Sequence, residues 1–132
     1  MYKIYTSHFS NKRLKNKEGI RISVCRSMQG YTFYHYNRWY KELAPDFEIL
    51  KRFKSTGNRT QSTKDWFTQE YIRKLDELRN SGRLEGYIDE LEKLVQYNDV
   101  YLLCYEKPLE FCHRHILADY LNNHYELNIS EY

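Results

Sequence analysis

Residues 104 to 115 read CYEKPLEFCHRH and contain two cysteines, two histidines, two glutamates and an arginine. Thiols, imidazoles and carboxylates are the side chains that most often serve as nucleophiles, proton carriers and metal ligands. A stretch so dense in them predicts a functional site, provided that the fold places it at an accessible edge. Whether it lies at such an edge depends on the strands and helices around it.

Four segments have the composition and pattern of β-strands. Residues 2 to 6 and 20 to 25 alternate between apolar and polar side chains and are rich in β-branched residues and tyrosine. Residues 100 to 105, VYLLCY, form a nearly continuous apolar run, which is typical of a central strand covered on both faces. Residues 125 to 129, YELNI, are a candidate edge strand.

Helical spacing of apolar residues is found between these strands and after the third one. The clearest stripe is Phe67, Tyr71, Leu75 and Leu78, in a helix that the pattern starts at Ser62 with a capping residue. Residues 27 to 46 are predicted to form a loop followed by a short helix. Further helices are predicted over residues 46 to 54, 84 to 95 and 111 to 122.

Strands that alternate with helices predict an α/β fold with a mainly parallel sheet of about four strands, flanked by helices in a Rossmann-like arrangement. A length of 132 residues fits a single domain. Ligands of open α/β sheets bind beyond the carboxyl ends of the strands. Those ends hold Ser7, Arg26 with Ser27, and Cys104 with Glu106.

The helix after the third strand is predicted to carry Cys112, His113 and Arg114 in its first turn. The helix dipole and a neighbouring Arg or His favour a thiolate there, so Cys112 is a candidate nucleophile. His113 or Glu106 is then a candidate proton carrier. Arg114 is a candidate phosphate ligand together with the arginine of the second strand end, and Ser7, Ser27 and Cys104 are candidate ligand-binding residues.

Each of these residues also has a structural interpretation. Cys104 ends an apolar run and fits a small buried core residue, and Cys112 shares a helical line with core positions. Together with His113 and His115 the two cysteines could bind zinc, but the paired C-x-x-C and H-x-x-x-H units of structural zinc sites are missing from this stretch. Neither a metal nor another cofactor is therefore expected.

The amino-acid composition limits the kinds of partner that the protein is expected to have. A net charge of +3 with 30% charged residues favours anionic ligands without reaching the basic footprint of a dedicated nucleic-acid binder. Three cysteines at irregular spacing indicate reduced thiols rather than a disulfide framework. A polar N-terminal stretch and the lack of a long apolar run predict a cytoplasmic protein with no membrane partner.

The segment CYEKPLEFCHRHILADYL resembles the Cys-His-Arg signature of a bacterial and phage family known as domain of unknown function 488. YKIYTSHF, IRISVCRS and YKELAPDFEIL are similar to other segments of that family, so the resemblance covers nearly the whole chain. This sequence departs from the family in having Cys25 and Ser27 around the arginine, and QGYTFYHYN in the following loop. The resemblance implies a shared constellation of Arg26, Cys104, Glu106, Cys112, His113 and Arg114.

Taken together, these features predict a small cytoplasmic enzyme, bacterial or phage-encoded, that acts on a nucleotide or a nucleic-acid-linked substrate. Two alternatives are open. One is a non-catalytic phage or mobile-element protein that binds a nucleotide-derived signal molecule. The other is nucleic-acid binding through the basic residues 11 to 17 and 51 to 59, with tyrosines as stacking platforms.

Overall fold

The computed structural model describes residues 1–27, 36–55, 60–105 and 111–132. In these residues it contains five strands: β1 (Ile4–His8), β2 (Ile20–Ser23), β3 (Arg38–Trp39), β4 (Val100–Cys104) and β5 (Ser130–Glu131). They form one sheet in the order β3-β2-β4-β1-β5, and every described pair is parallel. The predicted α/β class with a mainly parallel sheet is confirmed, with one strand more than expected.

The central strand is β4, as its apolar run predicts. It pairs with β1 on one side and with β2 on the other, and each of its residues is buried. Val100 and Leu102 belong to one core cluster, whereas Tyr101 and Leu103 belong to another. Since alternate residues of a strand point to opposite faces, both faces of the sheet are covered at β4.

Four helices in the described parts of the chain flank the sheet: α1 (Phe47–Ser55), α2 (Gln61–Asn80), α3 (Arg83–Leu94) and α4 (His113–Tyr125). All four contribute buried residues to the core cluster that contains Val100 and Leu102. The predicted stripe of α2, from Phe67 to Leu78, lies in this core. None of the helices in the described ranges has the length and apolar character needed to cross a membrane.

The predicted edge strand at residues 125 to 129 is wrong. Helix α4 continues to Tyr125, and the chain then turns through Glu126 and Asn128, both of which have positive φ. The Asn122 side chain fixes this turn, because its amide donates to the Ile129 carbonyl at 2.9 Å and its oxygen accepts the Ile129 N–H at 2.7 Å. The edge strand therefore begins only at Ser130.

Two further predictions need correction. Helix α2 is capped by Thr60, whose hydroxyl accepts the N–H of Thr63 at 3.3 Å, so Ser62 lies inside the helix. The region predicted as loop and short helix contains β3 and a 3-10 turn at Lys41–Leu43, while its residues 28–35 lie outside the described part. Strand β3 is not predicted from the sequence because two residues are too few to show an alternating pattern.

Candidate functional site

The carboxyl ends of three adjacent strands meet at one edge of the sheet. His8 of β1 is in register with Cys104 of β4, and Ser23 of β2 with Leu103. Residues 106–110, which include the predicted proton carrier Glu106, lie outside the described residues. Helix α4 then begins at His113, with Cys112 as its capping residue. Cys112 thus stands one position before the observed first turn, rather than within it as predicted.

Cys104, Cys112 and His113 come together at this edge and are called here the Cys–His cluster. The Nδ1 atom of His113 lies 3.7 Å from the Cys104 sulfur and 3.9 Å from the Cys112 sulfur. One sulfur or ring nitrogen from each residue can be chosen so that all three atoms lie within 4.8 Å of one another. All three residues are buried, and none of the chain's cysteines forms a disulfide.

The imidazole of His113 has a fixed orientation. Its Nε2 atom lies 2.6 Å from the Val24 carbonyl oxygen, just beyond β2. Because a carbonyl can only accept, Nε2 carries the hydrogen, and in the neutral ring Nδ1 presents a lone pair to the two sulfurs. The Tyr71 ring packs edge-on against the imidazole, with centroids 5.7 Å apart. A contact across the sheet edge thus sets the tautomer.

Cys112 is a buried thiol. Its sulfur accepts the backbone N–H of Arg114 at 3.5 Å, as a capping residue does. The hydrogen bond with Cys104 and burial raise the pKa of the Cys112 thiol well above its ordinary value, and the nearby His113 offsets only part of that rise. The predicted role of Cys112 as a free thiolate nucleophile stays a prediction, and this environment does not favour it.

Beside the cluster is a pocket, called here the edge pocket. It is lined by residues that follow β2 and β4, by α1 and by part of the cluster: Cys25, Arg26, Ser27, Leu50, Lys54, Cys104, Tyr105 and His113. The structure thus brings five predicted site residues to this edge of the sheet, namely Arg26, Ser27, Cys104, Cys112 and His113, although Cys112 does not line the pocket.

Arg114 and Ser7 have other surroundings. The guanidinium of Arg114 is fully buried and ion-paired with Glu131, at 2.9 Å from Nη2 to Oε2. Ser7 is also buried, and its hydroxyl accepts a hydrogen bond from the Asn11 amide at 2.9 Å. Their predicted contacts with a ligand stay predictions, since neither residue lines the edge pocket.

Sequence reasoning missed Lys54 as a residue of this site. It lies in the last turn of α1 and is exposed beside the pocket. The only signal for it in the sequence is the basic character of residues 51 to 59, which predicts a nucleic-acid contact. A helix residue 50 positions from Cys104 reaches the same pocket only through the packing of α1, which the sequence pattern does not specify.

Fold and site together define an α/β protein with a buried Cys–His cluster at the carboxyl edge of a parallel sheet. The family model DUF488-N3a, described as "Active DUF488-N3 subclade", matches residues 4–125. The chain therefore belongs to the domain of unknown function 488 family, as its resemblance implies. No curated protein and no solved structure matches the chain.

Proposed function

We propose that this protein is an enzyme that acts on a nucleotide or another phosphate-bearing substrate at the edge pocket. The observation that carries the proposal is the composition of that pocket, in which two cations stand beside a thiol and an imidazole of the Cys–His cluster. An anionic group held by the cations would bring the neighbouring part of the substrate next to the reactive side chains.

The two cations come from separate elements. Arg26 follows the end of β2, and Lys54 lies near the end of α1. Both line the edge pocket, and the described lining residues include no carboxylate that would neutralise them there. A phosphate bound between an arginine and a lysine gains charge-assisted hydrogen bonds from both. We assign phosphate binding to these two residues.

A larger cavity adjoins the edge pocket and gives room for the rest of a nucleotide. Its volume is about 490 Å³, and Arg26 lines both spaces. Pockets for small molecules typically measure about 300–1,000 Å³. Lys74 and Arg83 in its wall pair with Asp46 and Glu42, so the charge there is largely balanced. Such a wall suits the polar, uncharged sugar and base of a nucleotide better than a second phosphate.

The chemistry is assigned to the Cys–His cluster. Cys104 and His113 line the pocket and can meet a ligand, whereas Cys112 belongs to the cluster but does not line the pocket. Thiols and imidazoles serve in nucleophilic, acid–base and metal-assisted reactions. The description of the matched subclade as active also supports an enzymatic role.

A thermal-melt screen tests the binding step. Purified protein is melted with nucleoside mono-, di- and triphosphates, with inorganic phosphate and with the corresponding nucleosides. A ligand at about a hundred times its dissociation constant adds about 2.7 kcal/mol to the free energy of unfolding, which is a plain shift in Tm. We expect phosphorylated compounds to raise Tm and nucleosides to have a smaller effect.

Matched variants locate the binding. Arg26→Ala and Lys54→Ala should each reduce the Tm shift, because each removes one phosphate ligand. Lys51→Ala is the control, since Lys51 is an exposed lysine of the same helix and does not line the edge pocket. Equal Tm shifts in all three variants, or no shift with any phosphorylated compound, would contradict the proposal.

A second candidate is a non-catalytic pocket that binds a nucleotide-derived small molecule. The burial of the Cys–His cluster favours it, because only 3% of Cys104, 4% of Cys112 and 7% of His113 is exposed. Incubation of a bound nucleotide with the protein, followed by mass spectrometry, separates the two functions. Recovery of unchanged ligand would favour binding alone, whereas a product that depends on Cys104 would establish the enzyme.

A further inference from the structure

The Cys–His cluster has a donor set that suits a transition metal. Two cysteine sulfurs and one imidazole nitrogen are the ligands that zinc prefers in proteins, and four-coordinate zinc with three protein ligands occurs in catalytic sites. The ligand spacing argues against such a site, because Cys104 and Cys112 are separated by seven residues rather than by two. Folding brings their side chains together with His113.

The distances from the His113 nitrogen to the two sulfurs are close to those of a tetrahedral centre. Zinc–sulfur bonds of about 2.3 Å and zinc–nitrogen bonds of about 2.1 Å, at tetrahedral angles, place the ligand atoms roughly 3.5–3.8 Å apart. The Nδ1 atom of His113 lies 3.7 Å from the sulfur of Cys104 and 3.9 Å from that of Cys112. An ion between the three atoms therefore needs only small shifts of side chains that are already in place.

The surroundings also have the features of a metal site. A histidine that binds a metal through one nitrogen usually donates the other N–H to a carbonyl or carboxylate. In His113 the Nε2 atom donates to the Val24 carbonyl at 2.6 Å, which leaves Nδ1 for the metal. The Cys112 sulfur accepts the N–H of Arg114, a contact that stabilises a coordinated thiolate.

Charge balance favours a divalent ion in this buried position. Two thiolates and one Zn²⁺ sum to zero, so the loaded cluster would carry no net charge into the protein interior, where an uncompensated charge is costly. The nearest buried cation, Arg114, is already balanced by Glu131. Binding releases one proton from each thiol to solvent.

We propose that Cys104, Cys112 and His113 bind a Zn²⁺ ion whose fourth position takes a water molecule or a substrate oxygen. Cys104 and His113 line the edge pocket, so that the ion is bordered by the space assigned to the substrate. The assignment of the fourth ligand to substrate rests on the proposed function. The metal site itself does not depend on the proposed function.

The test uses the full chain, purified in a reducing buffer and loaded with Zn²⁺ or Co²⁺ in the absence of any nucleotide. We expect one metal ion per chain by elemental analysis. We also expect the Co²⁺ form to show the thiolate charge-transfer absorption and the intense visible bands of a four-coordinate site. A wild-type protein that binds no metal, or whose Co²⁺ spectrum lacks the thiolate absorption, would overturn the proposal.

Single substitutions identify the ligands. Cys104→Ser, Cys112→Ser and His113→Ala should each weaken Co²⁺ binding by at least the roughly 10–100-fold that loss of a hydrogen-bond partner of a metal ligand costs. Cys25→Ser is the matched control, because Cys25 is a buried cysteine that also lines the edge pocket but has its sulfur 3.7 Å from the Leu103 carbonyl and is not in the cluster. Undiminished binding in the three variants, or equal loss in the control, would refute the assignment.

Two checks keep the result interpretable. Circular dichroism shows which variants fold, and the wild-type Co²⁺ spectrum decides the question for any that do not. A disulfide between Cys104 and Cys112 under reducing conditions, detected as a mass lower by two hydrogens, would exclude the metal. Because no nucleotide is present, failure here leaves the phosphate screen untouched, and failure of that screen leaves the metal site standing.

Discussion

The guanidinium of Arg114 and the carboxylate of Glu131 form a two-point salt bridge between α4 and β5, at 2.9 Å from Nη2 to Oε2 and 3.2 Å from Nε to Oε1. The Arg114 side chain is 0% exposed and that of Glu131 is 26% exposed. The Thr6 hydroxyl donates to the same carboxylate at 2.7 Å. One carboxylate therefore joins the edge strand to the helix that begins at the Cys–His cluster.

Replacing Glu131 by alanine should destabilise the protein by about 3 kcal/mol. The substitution leaves the fully buried guanidinium of Arg114 without its counter-charge, and removal of one partner of a buried pair typically costs about 3–5 kcal/mol. The partial exposure of Glu131 places the expected value at the low end. Urea denaturation followed by circular dichroism measures it. Glu92→Ala, an exposed residue of α3, is the control and should change stability by less than about 0.5 kcal/mol.

Acidification should weaken the fold through the same carboxylate. Burial alone would raise the pKa of Glu131, but the hydrogen bonds from Arg114 and Thr6 outweigh it and hold the pKa below its ordinary value of 4.5. Stability from this group is therefore fully present above that ordinary pKa and is lost as the pH falls through the lowered one. Unfolding free energies should decline over this acidic range, and the decline should be shallower in Glu131→Gln. Parallel curves for the two proteins would contradict the assignment.

Gly19→Ala and Gly86→Ala should shift stability in opposite directions. Gly19 precedes β2 with φ of +141°, and a Cβ atom there would lie 2.7 Å from the Asp99 carbonyl oxygen. The positive φ strains any residue that carries a side chain. The clash is also destabilising, because the Asp99 backbone cannot move aside easily. Gly86 lies within α3 with open space around it, so alanine there should stabilise the helix by about 0.5–1 kcal/mol. Thermal melts of the two variants check both signs.

Thr60→Ala should cost about 1 kcal/mol, because it removes the side-chain cap of α2. Ser62→Ala should be close to neutral, since Ser62 lies inside the helix. Denaturation of the two variants in parallel distinguishes the observed cap from the one that the sequence pattern predicts. A larger loss for Ser62→Ala than for Thr60→Ala would show that the helix begins where the pattern placed it.

Local patterns predicted much of this fold. The apolar run at β4 identified the central strand because burial on both faces removes the polar alternation, and the stripe of α2 identified its buried side. The strand-end rule then placed Arg26, Cys104 and His113 at one edge without any knowledge of their distances. Each of these predictions rests on a pattern formed by residues that are close together in the sequence.

The relationships that were missed depend on residues far apart in the chain. The orientation of His113 is set by Val24, 89 positions away, and the partner of Arg114 lies on an edge strand that the pattern placed too early. Sequence spacing also argues against a metal at the Cys–His cluster, because Cys104 and Cys112 are separated by seven residues in the sequence although their sulfurs lie close together in the structure. Backbone topology, rather than composition, supplies this information.

The position of β4 also has a consequence for the time course of folding. Ile4 and Ile20 both pair with Val100, so the two pairings at the centre of the sheet join segments separated by 96 and 80 positions. Such distant contacts are entropically costly to form and are associated with slow folding. During synthesis on the ribosome, β1 and β2 must wait for β4 before the centre of the sheet can assemble. Because Cys104 ends β4 and Cys112 follows it, the reactive thiols become enclosed only at this late stage.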